Sequence, residues 1–145
     1  MKLVTKYHGK IEVSEKDVIF FEHGIPGFLK EKHFFLLELE KDSPFLILQS
    51  KTTPELGFVL MSPFDFYKNY EFELLEQDKK HLTLNHEEDI LVFTILTVKE
   101  PFEETTANLK APLVINKSNN KAKQIILNDS NYETRHKVFQ TVEQK

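Results

Sequence analysis

The sequence contains no cysteine and no tryptophan in its 145 residues. Without cysteine there are no disulfides, no thiolate nucleophiles and no sulfur ligands for a metal, which fits a reducing compartment. No apolar run reaches membrane-spanning length. The opening MKLVTKYHGK lacks the continuous hydrophobic region and small-residue cleavage site of a secretion signal. A cytoplasmic protein is expected, and the Asn-x-Ser triplets at Asn116 and Asn128 are not read as glycosylation sites. No linker rich in Gly, Ser or Pro and no internal repeat interrupts the chain, so residues 1–145 are expected to fold as one domain. That length buries a core without metal or disulfide support.

Catalytic patterns are missing as well. None of Ser14, Ser43, Ser50, Ser62, Ser118 or Ser130 stands in a nucleophile elbow. His8, His23, His33, His81, His86 and His136 form neither His-x-x-x-His nor His-x-His, so no metal site is expected. Neighbouring carboxylates such as Glu103 and Glu104 flank turns, where solvation explains them. HGIPGF has no phosphate-cradling glycine pattern. It reads as a tight turn in which Pro26 fixes φ near −65° and Gly27 supplies the positive φ of a type II turn. No catalytic residue and no cofactor is expected, and the chain does not read as an enzyme. A dense Lys/Arg stripe is also absent, so direct nucleic-acid binding is disfavoured.

What is present is an uneven charge distribution. Met1 to Leu109 carries 12 basic against 20 acidic residues, whereas Lys110 onward carries 7 against 3. The acidic excess is densest between Glu71 and Glu104, a field suited to a basic protein partner.

Short apolar runs broken by turn residues recur every eight to twelve positions, the pattern of an all-β domain. KIEV, DVIFF, HFFLLEL, FLILQS, GFVLM, YEFELL, HLTL, ILVFTILTV, NLKAPLVIN, KQIIL and HKVFQ are the expected strands. In EFEL, Phe72 and Leu74 face one way and Glu71 and Glu73 the other. Ile90 to Val98 is apolar on both faces and is expected to be the central strand. Together these runs predict a compact antiparallel β-barrel-like domain or roll. One or two very short helical turns are expected: Ser62 capping a turn with Pro63 at its first position, and Asn85 with Glu88 as a capping box. NKSNNKAK reads as a hairpin tip, and the terminal TVEQK as fraying.

Two features bear on binding. Thirteen Phe and four Tyr are a heavy aromatic load for this length, most of it expected in the core. Yet SPFDFYKNYEF concentrates five aromatics within nine residues near turns, where a surplus marks a binding surface. NLKAPLVIN places Pro112 inside an apparent strand, which a residue without an N–H tolerates only at an edge, at a bulge or just before the strand begins. At an edge, Asn108, Lys110 and Asn116 would flank backbone groups open to a partner.

The blocks FEHGIPGF, DSPFLILQS, FVLMSPFDFYKNYEFEL, NLKAPLVIN and KAKQIILNDSNYETRHKV, in that order, resemble the FliW family of bacterial flagellar assembly factors over nearly the whole chain. The resemblance implies a non-enzymatic cytoplasmic β domain that binds newly made flagellin. When free of flagellin it would bind CsrA, the repressor of flagellin mRNA translation, and antagonise it allosterically without touching RNA. A flagellin export chaperone with no translational role is the alternative. The same motif blocks point to Phe28, Phe45, Phe64, Tyr67 and Tyr70 as aromatic partner contacts.

Overall fold

The computed structural model describes residues 1–128 and 130–139. A hairpin of β1 (Lys2–Thr5) and β2 (Gly9–Glu12) precedes the main sheet. The sheet then takes in β3 (Ile19–Phe21), β4 (His33–Glu38), β5 (Phe45–Ser50), β6 (Gly57–Met61), β7 (Ile90–Thr97), β8 (Thr106–Ala107), β9 (Leu113–Asn116), β10 (Lys121–Gln124) and β11 (His136–Lys137). Its order is β11-β8-β7-β6-β5-β4-β3-β10-β9, and an additional β7–β9 pairing closes seven strands, β3 to β7 with β9 and β10, into a barrel. All pairings are antiparallel except β3–β10. The domain is mostly β, as the run spacing predicts, with one parallel pair within the barrel.

Side-chain alternation explains why the runs are apolar on both faces. One face points into the barrel, where Phe21, Phe34, Leu48, Leu60, Leu113 and Ile115 are buried with Leu91, Phe93 and Ile95 packed against them. The other face is covered from outside: Ile47, Val59, Met61 and Leu96 pack with Ala107 and Val138 from the β8–β11 layer. Burying each large side chain contributes about 1.5–3 kcal/mol, so fully enclosed Phe21, Phe34 and Phe35 are major anchors. The expected central strand is central: β7 pairs with β6, β8 and β9.

Several expectations are corrected. YEFELL and HLTL are not strands. Glu71–Leu75 is an unpaired strap leading into helix α1 (Glu76–His81). The alternation in EFEL is real, since Phe72 and Leu74 pack toward Leu82, Val114 and Ile125 while Glu71 and Glu73 face solvent. It arises from lying across another layer, with no neighbouring backbone to pair with. α1 has acidic residues in its first turn and Lys79, Lys80 and His81 in its last, a distribution that favours the helix dipole. Asn85 is not a cap; His86 precedes the 3₁₀ turn at Glu87–Asp89. Ser62 does precede a 3₁₀ turn with Pro63 at its start, but without a side-chain capping bond. β1 and β8 were not anticipated. NKSNNKAK forms the β9–β10 hairpin tip with Asn120 at φ 61. TVEQK lies outside the described residues.

Pro112 stands just before β9, and β9 is paired on both sides. The Pro112 carbonyl accepts from the Ile125 amide at 2.9 Å and the Lys110 carbonyl from Leu127 at 2.8 Å. The backbone around NLKAP is therefore satisfied internally: of the three expected placements Pro112 takes the one just before a strand, and the edge reading is not met.

Candidate protein-binding surface

Pro63 ends the run of β6, and the chain then loops through aromatic residues to Tyr70. The Tyr70 ring is almost fully buried, and its hydroxyl donates to the Leu109 carbonyl at 2.6 Å. Burial, and then the neighbouring Tyr132, push this phenol above its ordinary ionisation range. Around it the ring of Tyr132 lies 4.6 Å away, Phe72 5.8 Å and Phe64 6.1 Å, centroid to centroid. Tyr67 bridges Tyr132 at 5.7 Å and His136 at 5.2 Å. Phe64 is 47% exposed and forms the outward end of this cluster. A single ring in the middle thus orients a set whose edge reaches solvent.

The other two aromatic candidates lie elsewhere. Phe28 is 41% exposed beside Leu29, which is 63% exposed, and its ring meets Phe58 at 5.4 Å. It follows the Pro26–Gly27 turn, where Gly27 has φ +88 and the Phe28 amide donates to the Ile25 carbonyl. That is the geometry of the expected type II turn. Phe45 is half-buried at the start of β5 against Phe102, at 5.5 Å. The structure therefore joins Phe64, Tyr67 and Tyr70 in one cluster but places Phe28 and Phe45 in two others.

The polar candidates are engaged within the fold. Asn116 is fully buried; its side-chain amide donates to the carbonyls of Leu82 and Thr83, and its oxygen accepts from the Ser118 amide and hydroxyl. Asn108 accepts from the Lys110 amide at 3.1 Å, and both residues are partly exposed. Tyr132 escaped the sequence reading because its partners are remote in the chain. Its hydroxyl accepts from the Glu71 amide at 3.0 Å and donates to the Glu71 carbonyl at 3.1 Å.

Two grooves flank the strap. The larger, about 530 Å³, is lined by Phe64, Phe72, Leu74, Ile90 and Val92 with Glu71, Glu73, Lys79 and Glu87 at its polar positions. The smaller, about 360 Å³, runs between Glu71–Leu75 and Ile125–Leu127. Lys79 is already paired with Glu76 at 3.4 Å and Glu87 at 3.5 Å, so the free charge of the larger groove is negative. Among the described residues no cluster of three or more His, Asp or Glu is arranged to hold a metal, and no helix is long and apolar enough to cross a membrane.

The model of the family described as "FliW protein" matches residues 2–138. The chain is 54% identical to the flagellar assembly factor FliW of Geobacillus sp. (strain WCH70) over 139 residues, covering 96% of each. To the protein of the same description from Bacillus subtilis (strain 168) it is 51% identical over 138 residues, covering 95% of this chain and 96% of the other. A crystal structure of the flagellar assembly factor FliW superposes with a TM-score of 0.93 at 49% identity, covering 98% of this chain and 99% of that one.

Proposed function

The chain belongs to the FliW family of flagellar assembly factors, which is not an enzyme family, and from that premise we propose that it acts in the cytoplasm by binding protein ligands in exchange. It holds newly made flagellin. Once flagellin is exported, the freed protein captures CsrA, weakens its grip on flagellin mRNA allosterically, and so restores translation. It makes no contact with RNA and uses no cofactor.

The observation that carries this reading is the match across residues 2–138, which takes in every element of the barrel and its outer layers. The surface chemistry agrees with it. Exposed Phe28 and Phe64, with Tyr67 in the Phe64 cluster and half-buried Phe45 in a separate one, suit the apolar face of an unassembled flagellin segment. Tyr70 holds the Phe64 cluster in place, Asn108 and Asn116 act by fixing the backbone around β9, and Lys110 adds a charge at the rim. The acidic residues from Glu71 to Glu104 suit a basic repressor, raising its association rate more than its final affinity.

A switch of this kind needs the two ligands to oppose one another, since a ligand indifferent to the other's presence shifts nothing. The test is to preform the complex with CsrA, add flagellin and measure the CsrA released. Release is expected, with a CsrA on-rate that falls as salt is raised. A ternary complex in which neither ligand weakens the other refutes the exchange. Flagellin binding with no CsrA binding at all leaves a flagellin chaperone.

A further inference from the structure

The barrel has an open seam. In β7 the Ile95 carbonyl accepts from the Asn108 amide at 3.0 Å, and just before the strand the Asp89 carbonyl accepts from Lys117 at 2.9 Å. Odd-numbered residues therefore turn their backbone groups toward β8 and β9, and the even-numbered Ile90, Val92 and Thr94 turn theirs toward β6. Thr94 meets Met61 there. The next position on the β6 side belongs to Pro63, which has no N–H and whose carbonyl is taken by the amides of Phe66 and Tyr67. On that side the Ile90 amide donates to the Glu87 carbonyl, but the Ile90 carbonyl and both the amide and the carbonyl of Val92 have no hydrogen-bond partner among the described residues. The same holds for the backbone of Phe72 to Leu74, on the strap at the other wall of the larger groove.

Unpaired strand edges are normally blunted or covered, because they invite a further strand. Here the edge opens into the 530 Å³ groove, whose apolar lining (Phe72, Leu74, Ile90, Val92) alternates with carboxylates at Glu71, Glu73 and Glu87. A strand laid along it would direct alternate side chains to apolar floor and acidic rim. We propose that this seam is a strand-addition site for an extended segment of a partner protein in which apolar residues alternate with Lys or Arg. It pairs with the free carbonyl of Ile90 and the free amide and carbonyl of Val92 and continues the line of β6 past Pro63. The inference rests on the reading of this chain as a protein-binding domain; it does not depend on which protein is bound.

The probe is a capped synthetic hexapeptide of alternating valine and lysine, titrated into the full ¹⁵N-labelled chain. The expected result is slowed hydrogen exchange at the Val92 amide, with shifted amide resonances at Val92 and at Leu91, whose nitrogen shares the Ile90 peptide group. Methylating alternate backbone nitrogens of the peptide should abolish the effect, and valine–glutamate peptide should not bind. The double variant Glu73→Lys, Glu87→Lys should weaken binding by about fivefold or more, with unchanged thermal stability confirming its fold. Equal binding by the N-methylated peptide, or shifts confined to other surfaces, overturns the proposal. So does concentration-dependent protection without peptide, which would mark a second copy of this chain as the occupant. Full-length CsrA or flagellin binding without any peptide binding overturns the seam but keeps the functional reading. Peptide binding without either protein does the reverse.

Discussion

Replacing Tyr70 by Phe removes one oxygen and leaves the aromatic cluster in place. That oxygen donates at 2.6 Å to the carbonyl of Leu109, a residue with no exposed surface. The Leu109 carbonyl has no other hydrogen bond among the described residues outside the ladders. Leaving a buried acceptor unpaired costs about 1–3 kcal/mol. At roughly 3 °C per kcal/mol for a chain of this size, the melting temperature should fall by about 3–9 °C. Tyr70→Ala also loses the ring that Phe64, Tyr132 and Phe72 surround, and should cost about 3–5 kcal/mol. Urea titrations of the two variants separate the terms, provided the slope of unfolding free energy against denaturant is unchanged. Alkaline pH offers an independent check. Because burial raises this phenol above its ordinary value of 10.0, its contribution is complete below that pH and declines as the solution becomes more basic. The alkaline loss of stability should be shallower in Tyr70→Phe. A Phe variant as stable as the parent would refute the argument that this bond anchors the start of the strap. A Phe variant as unstable as the Ala variant would refute the weight given to the ring.

Other substitutions test the surrounding framework. Asn116→Ala removes four hydrogen bonds at a fully buried position and should lower stability by about 2–4 kcal/mol in the same titration, whereas Asn108→Ala should cost under about 1.5 kcal/mol. At Gly24, φ is +69 and an added Cβ would collide with the Leu29 backbone, so Gly24→Ala should destabilise more than Gly27→Ala, where φ is +88 but the space is open. Differential calorimetry ranks the pair. Hydrogen bonds from Ser50 and Thr53, with a lesser one from Thr52, hold the Glu31 carboxyl below its ordinary value of 4.5. Its stabilisation is therefore present above that pH and lost as pH falls through the lowered value. Glu31→Gln should flatten the acid limb of a stability-against-pH curve, and an unaltered limb would count against it.

The strands of the barrel were readable because each is a short run of large apolar residues. Both faces of such a run have to be buried, and the paired registers bury them. The strap was misread for an equally physical reason. Phe72 and Leu74 alternate with Glu71 and Glu73 as they would in a strand, but periodicity reports which side chains are buried and is silent on whether a backbone lies alongside. Pro112 precedes a strand whose neighbours are satisfied, while Pro63, read only as a helix start, stands where the β6–β7 ladder ends. Nothing local distinguishes the two, because the difference lies in which strand each proline faces.

By itself the chain determined the class of fold, the turn at Pro26–Gly27, the two-sided burial of β7 and the family to which it belongs. These depend on residue type and spacing over a few positions, or on matching blocks along the whole length. Barrel closure between β7 and β9, the parallel β3–β10 pair, the separation of Phe28 and Phe45 from the Tyr70 cluster, and the unpaired backbone groups of Val92 were decided only in three dimensions. Each depends on which backbone lies beside which, and residues up to about a hundred positions apart meet there under a packing requirement that no short stretch encodes.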